Sequence, residues 1–526
     1  MTTIRVHSVA FTGIDAVDVE VEVQKSKGLY GKISIVGLPG GAVRESKDRI
    51  RAAVTSSGFK FPRTALVINM APADLKKDSP SFDLPLAMAI LATTGVIPAA
   101  ALDPITIIGE LALDGRVKPV KGALASAILA REKGRKGILL ACENQQEAEL
   151  VNGIEVIPTH HLGHAISLFG GPDHLPVEQE RQETAPEADG ELLEQPGMDS
   201  GWDYADVLGQ EVAKKAMVIA AAGGHNLLMI GPPGSGKTML AQRLPTILPH
   251  LGREDTLEVS RIHSFARQKL QRLISEPPFR APHHTISYAG LVGGGSQPGP
   301  GEISLAHKGI LFLDELPEFS RRTREALRQP LEEGYITITR AKASITLPTR
   351  IMLVASMNPC PCGFRGDPRN ECTCTPRQAL LYFKRISGPL LDRMDLQIEV
   401  PAVPAGVLHQ AVSKPGMGSG AMAECVSRAR ALQATRARED PAILNAHLRA
   451  DQVRLFCKMT SDASDYLERC LNRYPLSARG YNRILKVART VADLDASEKI
   501  QQSHMEEAVM FRVLDRIRLS EEGLSA

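Results

Sequence analysis

The N-terminal third of the chain alternates short strand-like runs with helix-like segments. Apolar and β-branched runs predict strands over Val17–Val23, Ile33–Val36, Ala65–Ala71, Ile105–Ile108 and Gly137–Ala141. Apolar positions at helical spacing predict helices over Ala42–Ser57, Asp83–Thr94 and Gly122–Lys133. Residues 1–168 are therefore predicted to form an α/β or α+β domain of their own.

The pattern changes abruptly near residue 169. The stretch that follows, GGPDHLPVEQERQETAPEADGELLEQPGMDS, is acidic and carries four prolines. Because it has little that could fill a core, residues 169–200 are predicted to form a flexible linker. An acidic tether that competes with nucleic acid for a basic surface is the alternative interpretation.

The next region contains a phosphate-binding motif. A helix-like stretch over Val207–Ala222, ended by Gly223 and Gly224, precedes the apolar run NLLMI, which leads directly into GPPGSGKT. A buried strand followed by Gly-x-x-x-x-Gly-Lys-Thr predicts a loop and a helix start whose backbone N–H groups cradle phosphate oxygens. The lysine is expected to reach the β- and γ-phosphates, and the threonine to hold Mg²⁺. The nucleotide-binding candidates are Gly231, Pro232, Pro233, Gly234, Ser235, Gly236, Lys237 and Thr238.

Two further apolar runs end in residues suited to nucleotide hydrolysis. KGILFLDE places Asp314 and Glu315 after one predicted strand, and IMLVASMNP places Asn358 after another. Asp314 is expected to help coordinate Mg²⁺, and Glu315 to orient and polarise the attacking water. Asn358 could hydrogen-bond that water or the γ-phosphate. Such residues also end many strands as plain turn residues, so the interpretation depends on the phosphate loop in the same domain.

Two segments between these motifs are predicted to project as loops. Phe279–Gly301 contains glycines and prolines that cannot continue a helix. The segment LPEFSRRTREALRQPLEEG is predicted to form one amphipathic helix ended by Gly334, and YITITRAKASITLP after it predicts a hairpin. The hairpin tip carries Arg340 and Lys342, which form either a solvated turn or a loop that contacts nucleic acid.

Composition narrows the choice of partners without deciding it. The chain has 526 residues, 43% of them hydrophobic, which suits about three domains. Its net charge of +2 requires any nucleic-acid contact to come from local basic clusters. The start MTTIRVHSVAFTG lacks a long apolar segment, and no apolar run approaches about 18 residues, so a soluble cytoplasmic protein without membrane contact is expected.

Four of the eight cysteines lie in one short stretch, as CPC and, nine residues later, CTC. Four thiolates this close suit a tetrahedral structural zinc site, although Cys-x-Cys is tighter than the common Cys-x₂-Cys spacing. Free buried cysteines or an oxidised pair are the alternatives. A metal at this position, directly after Asn358, could brace a loop beside the predicted catalytic strand. The zinc-ligand candidates are Cys360, Cys362, Cys372 and Cys374.

The order of these motifs resembles that of AAA+ ATPases. Long blocks, among them GPPGSGKT, FRAPHHT, PGEISLAHKGILFLDELPEF, LRQPLEEG, MNPCPCGF and SGPLLDRMDLQIEVP, closely resemble the magnesium-chelatase-like YifB/ComM family over nearly the whole chain. The resemblance implies an α/β P-loop AAA+ core over residues 201–404 and a helical lid over 405–526. It also implies ATP and Mg²⁺ as cofactors and assembly into a homo-hexamer.

The same resemblance implies which segments contact DNA. Phe279–Gly301 resembles the helix-2 insert and Tyr335–Pro348 the presensor hairpin of this AAA+ branch, and both are expected to face a central pore. Arg340 and Lys342 then become candidates for contacts with the DNA backbone. Asn358 matches sensor 1, the residue that monitors the γ-phosphate.

Two arginines are assigned by resemblance as well. Arg393 matches the arginine finger that one subunit supplies to its neighbour's γ-phosphate, with surface pairing to Asp392 or Asp395 as the alternative. Arg479 matches sensor 2 in the lid, and Arg483 one turn later is a weaker match. A lid arginine on the γ-phosphate would couple nucleotide state to domain angle.

The N-terminal domain resembles the proteolytic domain of Lon-type proteases. The resemblance rests on KKDSPSFDLPLAMAIL and GELALDGRVKPVKGALASAILAREKG, and it places Ser81 at the position of the family's nucleophile. Such a serine needs a lysine amine as its base. Leu124 occupies the base position, and Lys121 is three residues out of phase on another side of the predicted helix. A Lon-like α+β fold kept for assembly or binding is therefore expected, without peptidase activity.

These features lead to one main hypothesis of function and two alternatives. The resemblance implies an ATP-driven hexameric DNA motor, a helicase or branch-migration enzyme acting in recombination of DNA during natural transformation, with single-stranded or branched DNA and a recombinase as partners. A metal-insertion chaperone like the magnesium-chelatase motor is the first alternative. An ATP-dependent Lon-like protease is the second, disfavoured by Leu124.

Overall fold

The computed structural model describes most of the chain, namely residues 3–26, 32–172, 201–266, 270–294, 299–340, 343–403, 417–438, 440, 442–473 and 478–512. The chain divides into two compact units, Met1–Leu192 with Leu257–Leu273, and Leu193–Thr256 with Ile274–Ala526. The acidic linker predicted over 169–200 lies outside the described residues from position 173 onward. Among the helices described, none combines the length and hydropathy needed to span a membrane.

The first unit is built on a mixed β-sheet. Its strands are β1 (Ile4–Thr12), β2 (Asp15–Ser26), β3 (Ile33–Val36), β4 (Ala65–Ala71), β5 (Ile105–Ile107), β6 (Glu110–Leu111), β7 (Val117–Lys118), β8 (Gly137–Ala141) and β9 (Glu155–Thr159). Seven of them form one sheet in the order β3-β4-β2-β1-β5-β8-β9. The β1/β2 and β2/β4 pairs are antiparallel, and the other neighbours in this sheet are parallel.

One helix forms the centre of this unit. The helices are α1 (Gly41–Ser56), α2 (Asp83–Ala92), α3 (Ala99–Leu102), α4 (Ala123–Glu132), α5 (Gln145–Glu149) and α6 (Leu162–Leu168). Every residue of α2 is buried, and the helix packs against β1 and β2. Its first residue, Asp83, is a buried carboxylate that Arg49 neutralises at 2.8 Å from the side of α1. A helix that is apolar on all sides thus forms the core of the domain.

The predicted strands and helices of the first unit are confirmed to within a few residues at their ends. Strand β1 is absent from the prediction. Every residue from Val6 to Ala10 is buried, including His7 and Ser8, so the chain there shows no alternation of apolar and polar positions. The reason is that β1 lies inside the sheet, between β2 and β5, with no edge or face left to solvent over this stretch.

A parallel sheet forms the centre of the second unit. Its strands are β10 (Leu227–Ile230), β11 (Phe279–Arg280), β12 (Gly293–Gly294), β13 (Gly299–Pro300), β14 (Ile310–Leu313), β15 (Tyr335–Arg340), β16 (Ala343–Pro348), β17 (Met352–Met357) and β18 (Leu396–Glu399). The sheet order is β11-β14-β17-β10-β18, and each neighbouring pair is parallel. Strands β10, β14 and β17 are buried at every position, which explains their continuous apolar runs.

The helices of the second unit lie before, between and after these strands in the chain. They are α7 (Glu211–Gly223), α8 (Lys237–Arg243), α9 (Arg253–Phe265), α10 (Tyr288–Val292), α11 (Glu302–Leu305), α12 (Arg321–Ala326), α13 (Arg328–Glu333), α14 (Pro376–Phe383), α15 (Gly388–Leu391), α16 (Ser419–Arg436), α17 (Ala450–Phe456), α18 (Ser461–Arg473), α19 (Ala478–Leu494) and α20 (Gln502–Met510). Helix α9 begins in this unit, and its later residues belong to the 257–273 segment of the first.

The single helix predicted between the two loop segments is wrong. A 3₁₀ turn over Leu316–Glu318 is followed by two short helices, α12 and α13, in place of one continuous helix. Pro330 has no N–H to bond the carbonyl of Ala326, so the helix breaks where that bond is missing. Gly334 ends α13 with a left-handed φ of 72°, as predicted.

The predicted hairpin is confirmed as the antiparallel pair β15 and β16. Its register sets Ile336 opposite Leu347 and Ile338 opposite Ile345. The loop predicted over Phe279–Gly301 is wrong at its start, because Phe279–Arg280 form strand β11 of the sheet, paired with β14. The rest contains α10 and a second short antiparallel pair, β12 and β13. Of the two basic residues at the hairpin tip, Arg340 is the last residue of β15, and Lys342 lies outside the described residues.

The described C-terminal part of the chain is helical. Helix α19 packs against α7, α16 and α20. Its buried Arg489 donates from Nε to Asp493 at 3.1 Å, and Arg436 of α16 pairs with the same carboxylate at 2.6 Å. One buried anion is thereby shared by two guanidinium groups, which fixes α16 against α19.

Candidate nucleotide-binding site

The phosphate loop follows β10 and ends where α8 begins. Gly234 and Gly236 have φ angles of 74° and 92°, a left-handed conformation that side chains with a Cβ rarely adopt. At Gly231, a Cβ atom would lie 2.1 Å from the carbonyl oxygen of Val400, so only glycine fits there. The strand, the turn and the helix start therefore follow from the residue types, as the motif predicted.

Lys237 lies across the opening of this loop. Its Nζ donates to the carbonyl oxygens of Gly231 at 2.8 Å and Pro232 at 2.9 Å, and to Asn358 Oδ1 at 3.4 Å. The residue is 8% exposed, and burial lowers the pKa of its amine, a shift that nearby Asp314 opposes. The structure thus brings together the predicted phosphate-binding lysine and the predicted sensor asparagine.

Asp314, at the end of β14, contacts the start of α8. Thr238 Oγ1 donates to Asp314 Oδ2 at 2.7 Å, and Ser356 of β17 donates to the other oxygen of the same carboxylate. The backbone N–H of Glu315 donates to Ser356 Oγ at 3.2 Å. Because β10, β14 and β17 are parallel neighbours, their C-terminal ends bring these groups to one edge of the sheet. A hydroxyl beside a carboxylate is the kind of hard oxygen pair that Mg²⁺ prefers, so the residues fit that ion.

Glu315 is held in an unusual backbone conformation. Its φ is 52°, and its side chain is half-exposed at the edge of the sheet. His284 Nδ1 lies 3.7 Å from Glu315 Oε2, and the His284 ring meets Phe319 edge-on with centroids 6.4 Å apart. The carboxylate of this left-handed residue thus lies beside the loop that carries His284, while its backbone N–H donates to Asp314 and Ser356.

Three residues of this site were not among the sequence predictions. Ser356 and His284 are described above, and Gln210 donates from Nε2 to the carbonyl oxygens of Ser235 at 3.2 Å and Pro401 at 2.6 Å. The signal for Ser356 is a polar residue inside the otherwise apolar strand Met352–Met357. His284 lies in FRAPHHT, a block used only for the family resemblance, and nothing in the linear pattern marks Gln210.

The two arginines assigned by resemblance meet on one carboxylate. Glu332 of α13 accepts hydrogen bonds from Arg393 and, at 3.4 Å, from Arg479. Arg393 also donates from Nη1 to Pro389 O at 2.6 Å. The alternative of a surface pair with Asp392 or Asp395 is wrong, because the buried Arg393 pairs with Glu332 and Asp395 pairs with Arg483 at 3.0 Å.

The four clustered cysteines approach one another closely. The Sγ of Cys360 lies 3.3 Å from that of Cys362 and 3.7 Å from that of Cys372, and all four Sγ atoms lie within 4.8 Å of one another. Thiolates bound to one zinc at about 2.3 Å stand about 3.8 Å apart in a tetrahedron, so the set has the dimensions of such a site. All four are free thiols, and their separations exceed the bond of about 2 Å that an oxidised pair requires.

The cysteine loop also touches the phosphate loop. A Cβ atom at Gly363 would lie 2.9 Å from Pro233 Cδ and 3.9 Å from Asn358 Cγ. Gly363 has a left-handed φ of 87° and follows Cys362 directly. The loop that carries the thiols is therefore packed against the nucleotide site through a glycine that leaves no room for a side chain.

The first unit lacks the dyad of a Lon-type peptidase at the predicted position. Ser81 is buried and shares a hydrogen bond with Ser79 Oγ at 2.7 Å. Leu124, at the position of the base, is fully buried in α4, and its backbone N–H donates to Glu147 at 3.0 Å. The buried amine of Lys77 donates instead to the carbonyl oxygens of Gly37, at 3.2 Å, and of Pro72.

Comparison with known proteins places this geometry in a class. Three family models match in succession along the chain. They are described as subunit ChlI of Mg-chelatase, over residues 19–144, magnesium chelatase subunit ChlI, over 203–408, and the C-terminal part of that subunit, over 416–512. The fold and site together define a magnesium-chelatase-like AAA+ protein, a class for which ATP with Mg²⁺ is the expected cofactor pair.

Full-length relatives give the narrower family. The uncharacterized protein YifB of Escherichia coli is 45% identical over 97% of both chains, and the competence protein ComM of Haemophilus influenzae is 42% identical over 97% of this chain and 98% of that protein. A Lon protease of Methanosarcina barkeri is 31% identical over 25% of this chain and 18% of its own length. The chain belongs to the YifB/ComM family, with a P-loop AAA+ core, a helical lid and a Lon-like N-terminal α+β domain.

Proposed function

We propose that this protein is an ATP-driven DNA motor. The observation that carries the proposal is the meeting of Lys237, Thr238, Asp314, Glu315 and Asn358 at one edge of a parallel sheet. A relative that spans nearly the whole chain is named a competence protein, which favours DNA as the substrate that the motor moves. The proposed activity is helicase action or branch migration during recombination of DNA in natural transformation, in the cytoplasm and together with a recombinase.

The proposed chemistry assigns one task to each of these groups. Lys237 is already desolvated and fully engaged by carbonyl oxygens, so its donors can transfer to phosphate oxygens without the amine first leaving water. Thr238 and Asp314 would hold Mg²⁺, which when bound neutralises charge on the phosphates. Glu315 orients and polarises the attacking water, while Asn358 donates its amide N–H groups towards the γ-phosphate.

The motor is proposed to be a homo-hexamer whose sites are completed between neighbours. Arg393 is assigned as the arginine finger and Arg479 as sensor 2. Their shared partner, Glu332, places the two guanidinium groups side by side in one subunit. Two cations at one place suit the charge that spreads over a phosphoryl group during transfer.

The hairpin β15–β16 and the loop over Phe279–Gly301 are proposed to contact DNA in the ring's centre. Ile336, Ile338 and Leu347 of the hairpin are buried. Arg340 and Lys342, which the sequence places at its tip, are the proposed contacts with the DNA backbone. Replacing both by alanine is expected to weaken DNA binding and to reduce its dependence on salt, because a protein that makes fewer phosphate contacts releases fewer counterions from the DNA. Binding that is unchanged across a salt titration would contradict the assignment.

The test of the motor is ATP hydrolysis measured with and without single-stranded or branched DNA. Stimulation by DNA supports the proposal. Glu315→Gln is expected to bind ATP normally, to hydrolyse it at least about a hundredfold more slowly and to leave a branched substrate intact. The matched control is Glu325→Gln, which removes a carboxylate that pairs with Arg328 at 3.0 Å. Normal unwinding by Glu315→Gln would refute the proposed role.

A structural zinc ion is proposed for the four-cysteine cluster. Protein purified without chelator should contain about one zinc per chain, and Cys→Ser replacement at the four positions should abolish it. Cys425, one of the scattered cysteines, is the control, and its replacement by serine should leave the zinc content unchanged. Metal-free wild-type protein would contradict the site.

A second candidate function is metal insertion by a chaperone of the magnesium-chelatase type. It is favoured by the three ChlI models that match along the chain. The two functions share the ATPase site. They differ in what ATP hydrolysis drives, which is movement of DNA in the first and insertion of a metal ion in the second. An ATPase rate that does not respond to any DNA would favour the chaperone.

A further inference from the structure

One carboxylate of the second unit connects the two arginines that are assigned to the nucleotide. Glu332 is the fifth residue of α13, and its two oxygens accept one guanidinium each, Oε2 from Arg393 and Oε1 from Arg479. The motifs and the family resemblance assign no role to this glutamate. Its position between two cations that are expected to bind phosphate makes it a competitor for that phosphate, because carboxylate and phosphate oxygens accept the same guanidinium donors.

The three side chains differ in their exposure to solvent. The side chain of Arg393 is 6% exposed, whereas Glu332 and Arg479 are 51% and 61% exposed. Arg393 is bound on one side by the carbonyl of Pro389 and on the other by Glu332. A finger must reach a phosphate on another subunit, and a guanidinium enclosed in this way has to leave Glu332 first.

The charges explain why the contact can be exchanged. Glu332 supplies one negative charge for two guanidinium groups. One of the two positive charges is therefore not balanced by this carboxylate. Among the described residues, Arg393 Nε has no hydrogen-bond partner although it is buried. A buried donor without a partner destabilises the arrangement that leaves it unpaired. A phosphate, with more charge and more acceptor oxygens than a carboxylate, would satisfy the arginines better, so the contact favours release once phosphate is within reach.

Glu332 is also joined to the hairpin proposed to contact DNA. Helix α13 ends one residue later, Gly334 turns the chain, and β15 begins at Tyr335. The base of the hairpin is closed by Thr349, whose backbone N–H donates to the carbonyl of Gly334 at 2.7 Å. A short helix of six residues whose last turn continues into a strand transmits a movement of that strand to its own side chains.

We propose that Glu332 is a positioning residue that withholds the enclosed Arg393 from the neighbouring subunit's nucleotide, with Arg479 as its second and exposed partner, until DNA displaces the hairpin. This inference rests on the proposed function, and it deepens it by naming the contact through which a polynucleotide on β15–β16 controls ATP hydrolysis. The effector is DNA at the hairpin, the responding groups are the two guanidinium groups, and Glu332 is the element that couples them.

The test compares Glu332→Gln with Glu333→Gln in the full-length assembled protein. Both changes remove one carboxylate at neighbouring positions of α13, but Glu333 accepts its hydrogen bond from Gln329, at 2.8 Å, and contacts neither arginine. In Glu332→Gln, the ATPase rate without DNA is expected to rise about fivefold, and the stimulation by single-stranded DNA to shrink by the same factor. Glu333→Gln should match the wild type in both rates.

Two further measurements keep the result decisive. Glu332→Asp keeps the charge on a shorter side chain and should raise the DNA-free rate above that of the wild type by less than Glu332→Gln does. If the glutamine variant does not fold, a DNA-free rate of Glu332→Asp above that of Glu333→Gln supports the inference, and an equal rate overturns it. A DNA-free rate in Glu332→Gln equal to that of Glu333→Gln, or lower with nucleotide-analogue binding intact, would overturn the inference. If wild-type protein ignores DNA but Glu332→Gln still hydrolyses ATP faster, the DNA motor fails while the withholding role stands.

Discussion

The two units of this protein each resemble an enzyme family, but only one has the constellation that the chemistry requires. In the second unit, Lys237 and Thr238 at the start of α8 each bond a residue at the end of another strand, Lys237 to Asn358 at 3.4 Å and Thr238 to Asp314 at 2.7 Å. In the first, the serine at the nucleophile position contacts another serine, and an apolar side chain occupies the position of its base.

The difference teaches that likeness of fold and presence of the reacting groups are separate observations. The Lon-like unit keeps its sheet and its fully buried helix α2, because these depend on apolar packing that many sequences satisfy. A hydrolytic dyad depends on two particular groups within hydrogen-bond reach of each other, and one substitution removes it. Similarity of fold therefore carries an activity only where the reacting groups themselves are present.

The largest expected effect lies in the nucleotide site. Lys237→Ala should lower the ATPase rate about a hundred- to a thousandfold, because it removes a desolvated cation aimed at the transferred phosphate. Lys215→Ala is the control, since that lysine pairs with Glu507 at 2.8 Å and is largely exposed. Steady-state ATPase assays on both variants decide the point. A rate within about tenfold of the wild type would show that the constellation is not the catalytic one.

A smaller loss is expected from Ser356→Ala. The serine hydroxyl donates to Asp314 and accepts from the N–H of Glu315, so its removal leaves two groups of the site without a partner. A lost hydrogen bond to a charged group costs about 1.5–3 kcal/mol, which corresponds to about a tenfold or larger fall in kcat. Ser304→Ala is the control, because this serine is equally buried and its hydroxyl has no hydrogen-bond partner among the described residues. Equal rates for the two variants would refute the role of Ser356.

A still smaller effect is expected from the contact between the cysteine loop and the phosphate loop. Gly363→Ala should raise the KM for ATP about fivefold, because the added Cβ meets Pro233 at 2.9 Å and displaces the phosphate loop. Gly366→Ala carries a similar left-handed φ of 81°, but no atom lies within 4 Å of the added Cβ. If both variants change KM equally, backbone strain is the cause and the contact with Pro233 has no consequence for the site.

No effect is expected from Ser81→Ala. The ATPase rate should be unchanged, and neither wild type nor variant should cleave casein, because Ser81 has a serine rather than a lysine amine as its hydrogen-bond partner. The measurement is casein digestion followed over several hours with the ATPase assay beside it. Cleavage by the wild type that Ser81→Ala abolishes would break the contrast between the two units.

Local sequence patterns predicted much of the fold. The phosphate loop, the strands before Asp314 and Asn358, and the hairpin register all depend on residues near one another in the chain, so their periodicity and turn residues carry the information. Strand β1 was not predicted because burial on all sides removes the alternation of apolar and polar residues that marks a strand. The broken helix before the hairpin follows from Pro330, whose missing N–H outweighs a sustained amphipathic pattern.

The amino-acid sequence by itself determined the Gly-rich loop after β10, the apolar strands that precede Asp314 and Asn358, and the family to which the chain belongs. Tertiary structure alone decided that Ser356 supports Asp314, that His284 lies beside Glu315 and that one carboxylate, Glu332, holds both Arg393 and Arg479. The physical reason is distance along the chain. Glu332 lies 61 and 147 residues from its two arginines, and no local periodicity records which remote side chains a fold will bring within hydrogen-bond reach.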